Sequence, residues 1–324
     1  MQEIEFKFQV PVKKRKALQK AFTLLKAEPI HLAAQYFDTA DQTLAKHCIA
    51  IRRRQENGEW KQTFKAVNTA KALSRFELEF DIAPPETTTL DLDNYKKDYS
   101  AIYKKLKRAL GLPLPTLELL FETNIQRLRI LQDVGKSTVE IALDIGKTFE
   151  EQNSVDIFEI EFELKQGSIE DLIAFIRPWV QKYQLSLDTH SKSDYGLLAV
   201  RQQSSFSAQY QTPLVLNRSS SEVEALQSIV ANCLQHLLPN ASSIARQQYS
   251  SEHVHQARVA IRRLRTALKS FAAWSEAIQP HWKAELTTIF QALGGTRDID
   301  ALNEDLLPQL IEAGYLLDHL APTT

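Results

Sequence analysis

Along the first two hundred residues, apolar and charged side chains alternate in short runs. In Glu3-Ile4-Glu5-Phe6-Lys7-Phe8 the odd positions are charged and the even ones apolar. Successive strand residues point to opposite faces, so this reads as an extended segment with one charged side and one greasy side. The same test picks out seven more runs: Gln35 to Asp38, His47 to Arg54, Trp60 to Lys65, Leu73 to Ile82, Leu117 to Leu131, Thr138 to Ile145 and Ile157 to Lys165. Asn57-Gly58 predicts a tight hairpin between the third and fourth runs, and Pro84-Pro85 stops the fifth.

Helical spacing interrupts the strands three times. Pro11 opens a helix over about 11–27 with Val12, Leu18, Ala21, Phe22 and Leu25 as its apolar stripe. A second helix is predicted over about 95–110, closed by Gly111 and Pro113. Ser168 caps a third, through about Tyr183, with Ile169, Leu172, Ile173, Ile176 and Val180 on one face. A polar stretch from Gln202 to Gln211 follows and reads as a linker. Beyond it only helical periodicity remains, over about 219–238, 251–274, 281–293 and 298–313. The expected fold class is therefore α+β: an eight-stranded antiparallel barrel with helices packed outside, then an all-α bundle. The expected boundaries are 1–200, a linker at 201–217, and 218–324.

Closure into a barrel follows from where the charges fall. Arg75, Glu77, Glu79 and Asp81 share a face, as do Arg52 and Arg54, Lys61 and Lys65, Arg127 and Arg129, Glu140 and Asp144, and Glu159, Glu161 and Glu163. A merely solvated sheet face carries Ser, Thr and Gln; this one is almost free of them, and its signs are sorted strand by strand. Closing the sheet turns that face into a lumen, where like charges are costly unless a bound species compensates them. Inward arginines and lysines suit a compact polyanion, because guanidinium forks grip phosphate oxygens. The carboxylates beside them call for a hard divalent cation, Mg2+ or Mn2+. Together these groups are the equipment of phosphoryl transfer.

Composition changes little. With 324 residues the chain is long enough for two domains, and 39 basic against 40 acidic residues leave a net charge of -1 that points to no nucleic-acid partner. Cys48 and Cys233 stand apart without ligand spacing, which excludes a disulfide framework. No secretory signal or membrane-length apolar run is visible, so no membrane partner and a cytoplasmic location are expected.

The ordered series Glu3-x-Glu5-x-Lys7, Arg52-x-Arg54, Lys65, Glu77-x-Glu79, Arg127, Glu140 with Asp144, Glu159-x-Glu161 and Ser191-Lys192 resembles the CYTH superfamily of triphosphate tunnel metalloenzymes across about residues 1–200. The resemblance implies Glu5, Glu159 and Glu161 as main metal ligands, with Glu3 and Asp144 beside them. It implies Lys7, Arg52, Arg54, Lys65, Arg127 and Lys192 as the triphosphate grip. Glu3, Glu77 and Glu79 are candidates for a general base, alongside Glu5 and Lys7 in the catalytic group. Arg53 points away from the lumen by parity; Lys61 and Arg129 read more simply as structural.

In the second half, His255, Arg258, Arg262, Arg265 and Lys269 fall within roughly 80° of one another on a helix. No acidic residue four positions away accompanies them. This stretch, with Gly294-Gly295-Thr296-Arg297-Asp298, resembles the CHAD domain. The resemblance implies polyphosphate contacts through His255, Arg258, Arg262, Arg265 and Arg297, in a module shortened to about its first bundle. The pairing resembles bacterial inorganic triphosphatases and implies hydrolysis of tripolyphosphate to pyrophosphate and phosphate. The competing expectations are a class IV type adenylyl cyclase or a nucleoside or thiamine triphosphatase on the same tunnel, and a non-catalytic polyphosphate sensor.

Overall fold

The computed structural model describes residues 2–67, 74–90, 92, 95, 99–301, 309 and 312, with side chains for all of these except 2, 3, 67, 74, 75 and 296–301. The chain divides into two compact units, 1–205 and 206–324. No helix among the described residues is long and apolar enough to cross a membrane.

The first unit is built on eight long strands: β1 (Gln2–Gln9), β2 (Glu28–Asp38), β3 (Ile49–Glu56), β4 (Glu59–Val67), β5 (Ser74–Ile82), β7 (Leu117–Val134), β8 (Ser137–Glu150) and β9 (Asn153–Gln166). They pair antiparallel in the order β1-β5-β4-β3-β2-β7-β8-β9, and β9 pairs back with β1, which closes the barrel. Two-residue strands β6 (Thr89–Leu90) and β10 (Ser186–Leu187) attach to β7 and β1. Closure removes every long sheet edge and commits the two faces of each strand to different environments. In this ring β3 and β4 stand across the lumen from β9 and β8.

The apolar face is outside, under helices. Here α1 (Val12–Leu24) and α4 (Ile169–Tyr183) lie over β1, β8 and β9, burying Leu18, Phe22, Leu172 and Ile176 against Phe8, Ile141, Ile160 and Phe162. Each such fully buried side chain contributes about 1.5–3 kcal/mol. Similarly α2 (Thr43–Lys46) and α3 (Ser100–Leu110) cover Ile51, Phe64 and Leu117 with Leu44, Ile102 and Leu106. Ser168 caps α4 by accepting from the Asp171 N–H at 3.2 Å, as its sequence predicts.

Several expectations are corrected. Val12 is 75% and Leu25 47% exposed, because one opens α1 and the other lies just past its end, beyond the sheet. Ile169 and Ile173 are likewise exposed, and only Leu172 and Ile176 of that stripe are buried. The second strand begins at Glu28 rather than Gln35: Pro29, Ala33 and Ala34 lower its β propensity, but pairing with β7 from Glu28 onward overrides it. Helix α3 runs over Ser100–Leu110, and Tyr95, where the helix was expected to start, is itself helical and buried, its hydroxyl accepting from Gln62 at 3.0 Å. Asn57 and Gly58 both have positive φ, 51° and 91°, as the hairpin requires.

The second unit contains α6 (Glu222–Ala245), α7 (Ser251–Ser270) and α8 (Pro280–Ala301). Cys233, Leu264 and Leu268 form its core, with Ile229, Val230 and Leu286 packed around them. A polar seam runs beside it: Arg263 donates to Asn232 at 2.7 Å, and His236 shares a hydrogen bond with Gln256 at 2.8 Å. The residues ahead of α6 are tied to it, since the Asn240 side chain accepts from the Gln209 N–H at 3.0 Å and donates to the Gln209 carbonyl at 2.9 Å. The break expected at Gly294-Gly295 is absent; α8 runs through both. At Gly294 a Cβ would stand 3.0 Å from the Arg258 guanidinium, whereas at Gly295 it would meet nothing within 4 Å. The helix expected over 298–313 lies largely outside the described residues.

Candidate active site

Register turns the charged parity of separate strands into rows. Arg127 is opposite Asp144, Asp144 opposite Glu159, and Glu159 opposite Gln9. The next row is Arg129, Ala142, Glu161 and Lys7; the one after is Leu131, Glu140, Glu163 and Glu5. On the facing wall, Tyr36, Arg52, Thr63 and Glu79 form one row and Ala34, Arg54, Lys61 and Asp81 another, with Lys65 opposite Glu77. The carboxylates on β8 and β9 thus look across at the cations on β3 and β4.

At the centre of the acidic wall, one carboxylate oxygen from each of Asp144, Glu159 and Glu161 falls within 4.8 Å of the others. Arg127 forks onto Asp144 at 2.7 and 2.6 Å and reaches Glu161 at 2.5 Å. Lys192 donates to Glu159 at 2.5 Å and Glu161 at 2.7 Å and pairs with Asp144 at 2.7 Å. Lys7 lies 3.3 Å from the second oxygen of Glu159. The Asp144 side chain is 0% exposed.

This crowding splits the three carboxyls. Burial raises Asp144, but Arg127 and Lys192 outweigh it and hold it below the usual range. Burial also opposes the charge on Glu161, yet Lys192 and Arg127 hold its pKa well below ordinary. Glu159 receives no contact from the Arg127 fork; burial pushes it up, and Lys192 and Lys7 do not cancel the effect. Burial disfavours charge on Arg127 and Lys192 too, and the surrounding carboxylates keep both firmly protonated.

The basic wall is paired more loosely. Lys65 meets Glu77 at 2.7 Å, and Arg52 lies 3.8 Å from the same carboxylate. Arg54 contacts Glu79 at 3.2 Å and Glu56 at 3.2 Å, while Lys61 is 3.6 Å from Glu79. Burial and the neighbouring Arg52 charge lower the pKa of Arg54. Glu77 and Glu79 are therefore engaged in ion pairs with the wall's cations, so their geometry suits holding those cations more than taking a proton.

One end of the lumen is apolar. Tyr36 and Phe121, inward by register, stack at 4.5 Å and pack on Leu197 and Val200 of helix α5 (Lys192–Val200). A Cβ on Gly196 would stand 2.1 Å from the Phe121 ring, so glycine is what lets α5 approach. Ser191 and Asp194 form a capping box at its start and deliver Lys192, the first helical residue, to the carboxylates. Thr63, Thr123 and Thr148 are also buried on this face, so the inner surface is less purely charged than its sequence suggests.

The predicted site residues divide accordingly. Lys7, Arg127, Asp144, Glu159, Glu161 and Lys192 are in mutual contact; Arg52, Arg54, Lys65, Glu77 and Glu79 form the facing wall. Glu5 sits one row beyond Lys7, opposite Glu163. The Glu3 and Arg297 side chains lie outside the described residues. Arg53 does point outward, its guanidinium 5.1 Å from the Phe37 ring, and Arg129 pairs with Glu28 at 2.7 Å near the rim. Sequence reading missed Asp188 and Tyr195. Asp188 is buried and accepts from the Tyr195 hydroxyl at 2.6 Å and the His190 N–H at 2.9 Å. Burial raises its pKa, but Lys7 and the His190 and Tyr195 donors bring it below the usual carboxylate range. Only its closeness to Ser191-Lys192 could have drawn attention to it.

In the second unit, His255, Arg262 and Lys269 are exposed on α7. Arg258 and Arg265 instead turn to Phe290 of α8, at 4.2 and 5.6 Å from its ring centre, and Arg258 donates to the Phe290 carbonyl at 3.0 Å. Part of the basic face is thus relieved by a neighbouring helix.

The CYTH domain family matches residues 1–194 and the CHAD domain family residues 228–323. An inorganic triphosphatase of Haemophilus influenzae is 31% identical over 204 residues, covering 61% of this chain and 55% of that protein. The chain thus spans about half the length of that curated relative. Among solved structures, a Hippeastrum protein assigned as an adenylyl cyclase and found to have a dominant triphosphatase activity aligns with TM-score 0.44 at 18% identity, over 62% of this chain and 96% of that one. An adenylate cyclase candidate from Bacillus halodurans aligns with TM-score 0.41 at 20% identity, over 58% and 93%.

Proposed function

From the premise that the chain belongs to the CYTH domain family, we propose that its barrel is a divalent-metal-dependent inorganic triphosphatase, cleaving tripolyphosphate to pyrophosphate and phosphate. The observation that carries this reading is the convergence of Asp144, Glu159 and Glu161 with Arg127, Lys192 and Lys7 on one inner wall. The relative from Haemophilus influenzae supports the substrate.

The donor set fits a hard cation. Its three ligand groups are all carboxylates, within 4.8 Å of one another, the oxygen chemistry that Mg2+ and Mn2+ take. Asp144, Glu159 and Glu161 would hold the ion, with Glu5 and Glu3 supplying further oxygens from β1. Bound there, such an ion draws charge from phosphoryl oxygens and makes the polyanion tolerable beside carboxylates. The rest of the work falls to the protein's own groups. Arg52, Arg54 and Lys65 on one wall, and Lys7, Arg127 and Lys192 on the other, bind the phosphate oxygens and fix the chain in line. Their buried ion pairs hold these side chains in place before substrate arrives, which reduces reorganisation. Glu77 and Glu79 orient the basic wall. Tyr36, Phe121 and α5 keep water from one end. The exposed His255, Arg262 and Lys269 face of the second unit binds a longer polyphosphate chain.

Substrate profiling tests this. Purified protein with Mg2+ or Mn2+ is offered tripolyphosphate, ATP and thiamine triphosphate. Phosphate release chiefly from tripolyphosphate is expected, and cyclic AMP from ATP would overturn the reading. Glu159→Gln and Glu5→Gln should lose more than the roughly 10–100-fold typical of an outer-shell partner of a metal site. No turnover by the wild type, with tight binding of long-chain polyphosphate, would make the protein a sensor.

A further inference from the structure

Strand β1 has different neighbours along one edge. Its residues Gln2 to Ile4 pair with β5, but at Phe8 and Gln9 that edge is taken by β10. Asp188 follows β10 directly, and its N–H donates to the Lys7 carbonyl at 2.8 Å. The Asp188 side chain, 1% exposed, then spends both oxygens on the segment leading into α5. Oδ1 accepts from the His190 N–H at 2.9 Å and lies 3.2 Å from His190 Nδ1; Oδ2 accepts from the Tyr195 hydroxyl at 2.6 Å.

Those two recipients are the surroundings of Lys7. The Lys7 ammonium donates to the His190 carbonyl and sits 5.6 Å from the centre of the Tyr195 ring, which is fully buried. It also lies 3.3 Å from Glu159 Oε2, while Lys192, two residues past His190, takes Glu159 Oε1 at 2.5 Å. Among the described residues, the Asp188 carboxylate makes three contacts, two on Oδ1 and one on Oδ2, all to His190 and Tyr195 rather than to either lysine's ammonium.

We propose that Asp188 is a positioning residue: it locks the 188–195 segment to β1, so that Lys7 and Lys192 converge from opposite sides on Glu159 and both reach the phosphate. This rests on the reading of Lys7 as a phosphate ligand. A carboxylate suits the task better than an amide. It accepts from an N–H, an imidazole N–H and a hydroxyl at once, and its charge balances the buried Lys7.

The test is a double-mutant cycle on the full chain with Mn2+ and tripolyphosphate. Asp188→Asn keeps the volume but replaces an acceptor with a donor; a loss of about 10–100-fold in kcat/KM is expected, with KM rising as Lys7 is mis-aimed. In a Lys7→Met background the same substitution should cost little further, because residues acting through one another are not additive. Tyr195→Phe, which removes one hydroxyl, provides a milder version expected to move in the same direction with the same non-additivity. If the Asp188→Asn and Lys7→Met losses multiply, or Asp188→Asn lowers the melting temperature without changing kcat/KM, Asp188 is structural and the proposal is overturned. Unchanged turnover in Lys7→Met alone would refute the parent reading of Lys7, and the proposal with it. Asp188→Asn failing while Lys7→Met succeeds refutes only the positioning role.

Discussion

Removing the Arg127 fork should destabilise the metal-free barrel, and a divalent cation should stabilise the variant over its own metal-free form. Arg127 gives Asp144 two hydrogen bonds, at 2.7 and 2.6 Å, and Glu161 one at 2.5 Å. Its side chain is 16% exposed and that of Asp144 0%, so water cannot substitute. Charge-assisted hydrogen bonds are each worth about 1.5–3 kcal/mol, but they share one guanidinium and do not sum. Leaving a buried charge without its partner costs about 3–5 kcal/mol, and we expect Arg127→Met to fall in that range. For a domain of this size that corresponds to roughly 6–20 °C in the barrel's melting temperature. Arg127→Lys keeps the charge and loses the fork, and should cost less. Mn2+ at about 100 times its dissociation constant would return about 2.7 kcal/mol through binding to the folded state alone. The assay is thermal unfolding of wild type and both variants, with Mn2+ and with chelator. An Arg127→Met barrel as stable as wild type in chelator would refute the reasoning, as would one that Mn2+ does not stabilise over its own metal-free form.

Two further outcomes follow from the geometry. Gly196→Ala should destabilise by about 1–3 kcal/mol, because its Cβ meets the Phe121 ring edge at 2.1 Å; chemical denaturation of the variant checks it, and no change would mean that α5 can withdraw freely. Asp144 and Glu161 have folded pKa values below their unfolded ones. Their contribution is therefore complete only above about pH 5 and lost as the pH falls through the folded values. The barrel's stability should drop below about pH 5 in wild type, and unfolding scans should find a shallower drop in an Asp144→Asn variant.

How much of this was legible in the sequence depends on the range over which each feature is determined. Alternation is local: a strand's pleat alone puts Glu159, Glu161 and Glu163 on one face and Phe158, Ile160 and Phe162 on the other. The barrel's inner and outer surfaces could therefore be read strand by strand, and the Asn57-Gly58 hairpin with them. Helix boundaries were less legible. Val12 and Leu25 have the right spacing to join the α1 stripe, but whether a helix end overlies the sheet depends on the length of the strands beneath. The gap expected between 293 and 298 has no counterpart either: glycine weakens an isolated helix, yet α8 runs through Gly294 and Gly295.

By itself, then, the sequence determined which side chains face the lumen, that they carry both signs, and that a helical unit with a basic face follows. It could not determine which of those charges touch. That Asp144, Glu159 and Glu161 meet within one ligand sphere depends on β8–β9 register, and that Lys192 reaches them depends on Phe121 and Gly196 letting α5 approach. Asp188 carried no pattern at all, because its meaning lies in contacts to Lys7, His190 and Tyr195. The physical reason is common to all of these. Parity follows from the geometry of one strand, whereas the pairing of charges depends on register and chain closure between different segments, 17 residues apart for Arg127 and Asp144 and 183 for Lys7 and His190.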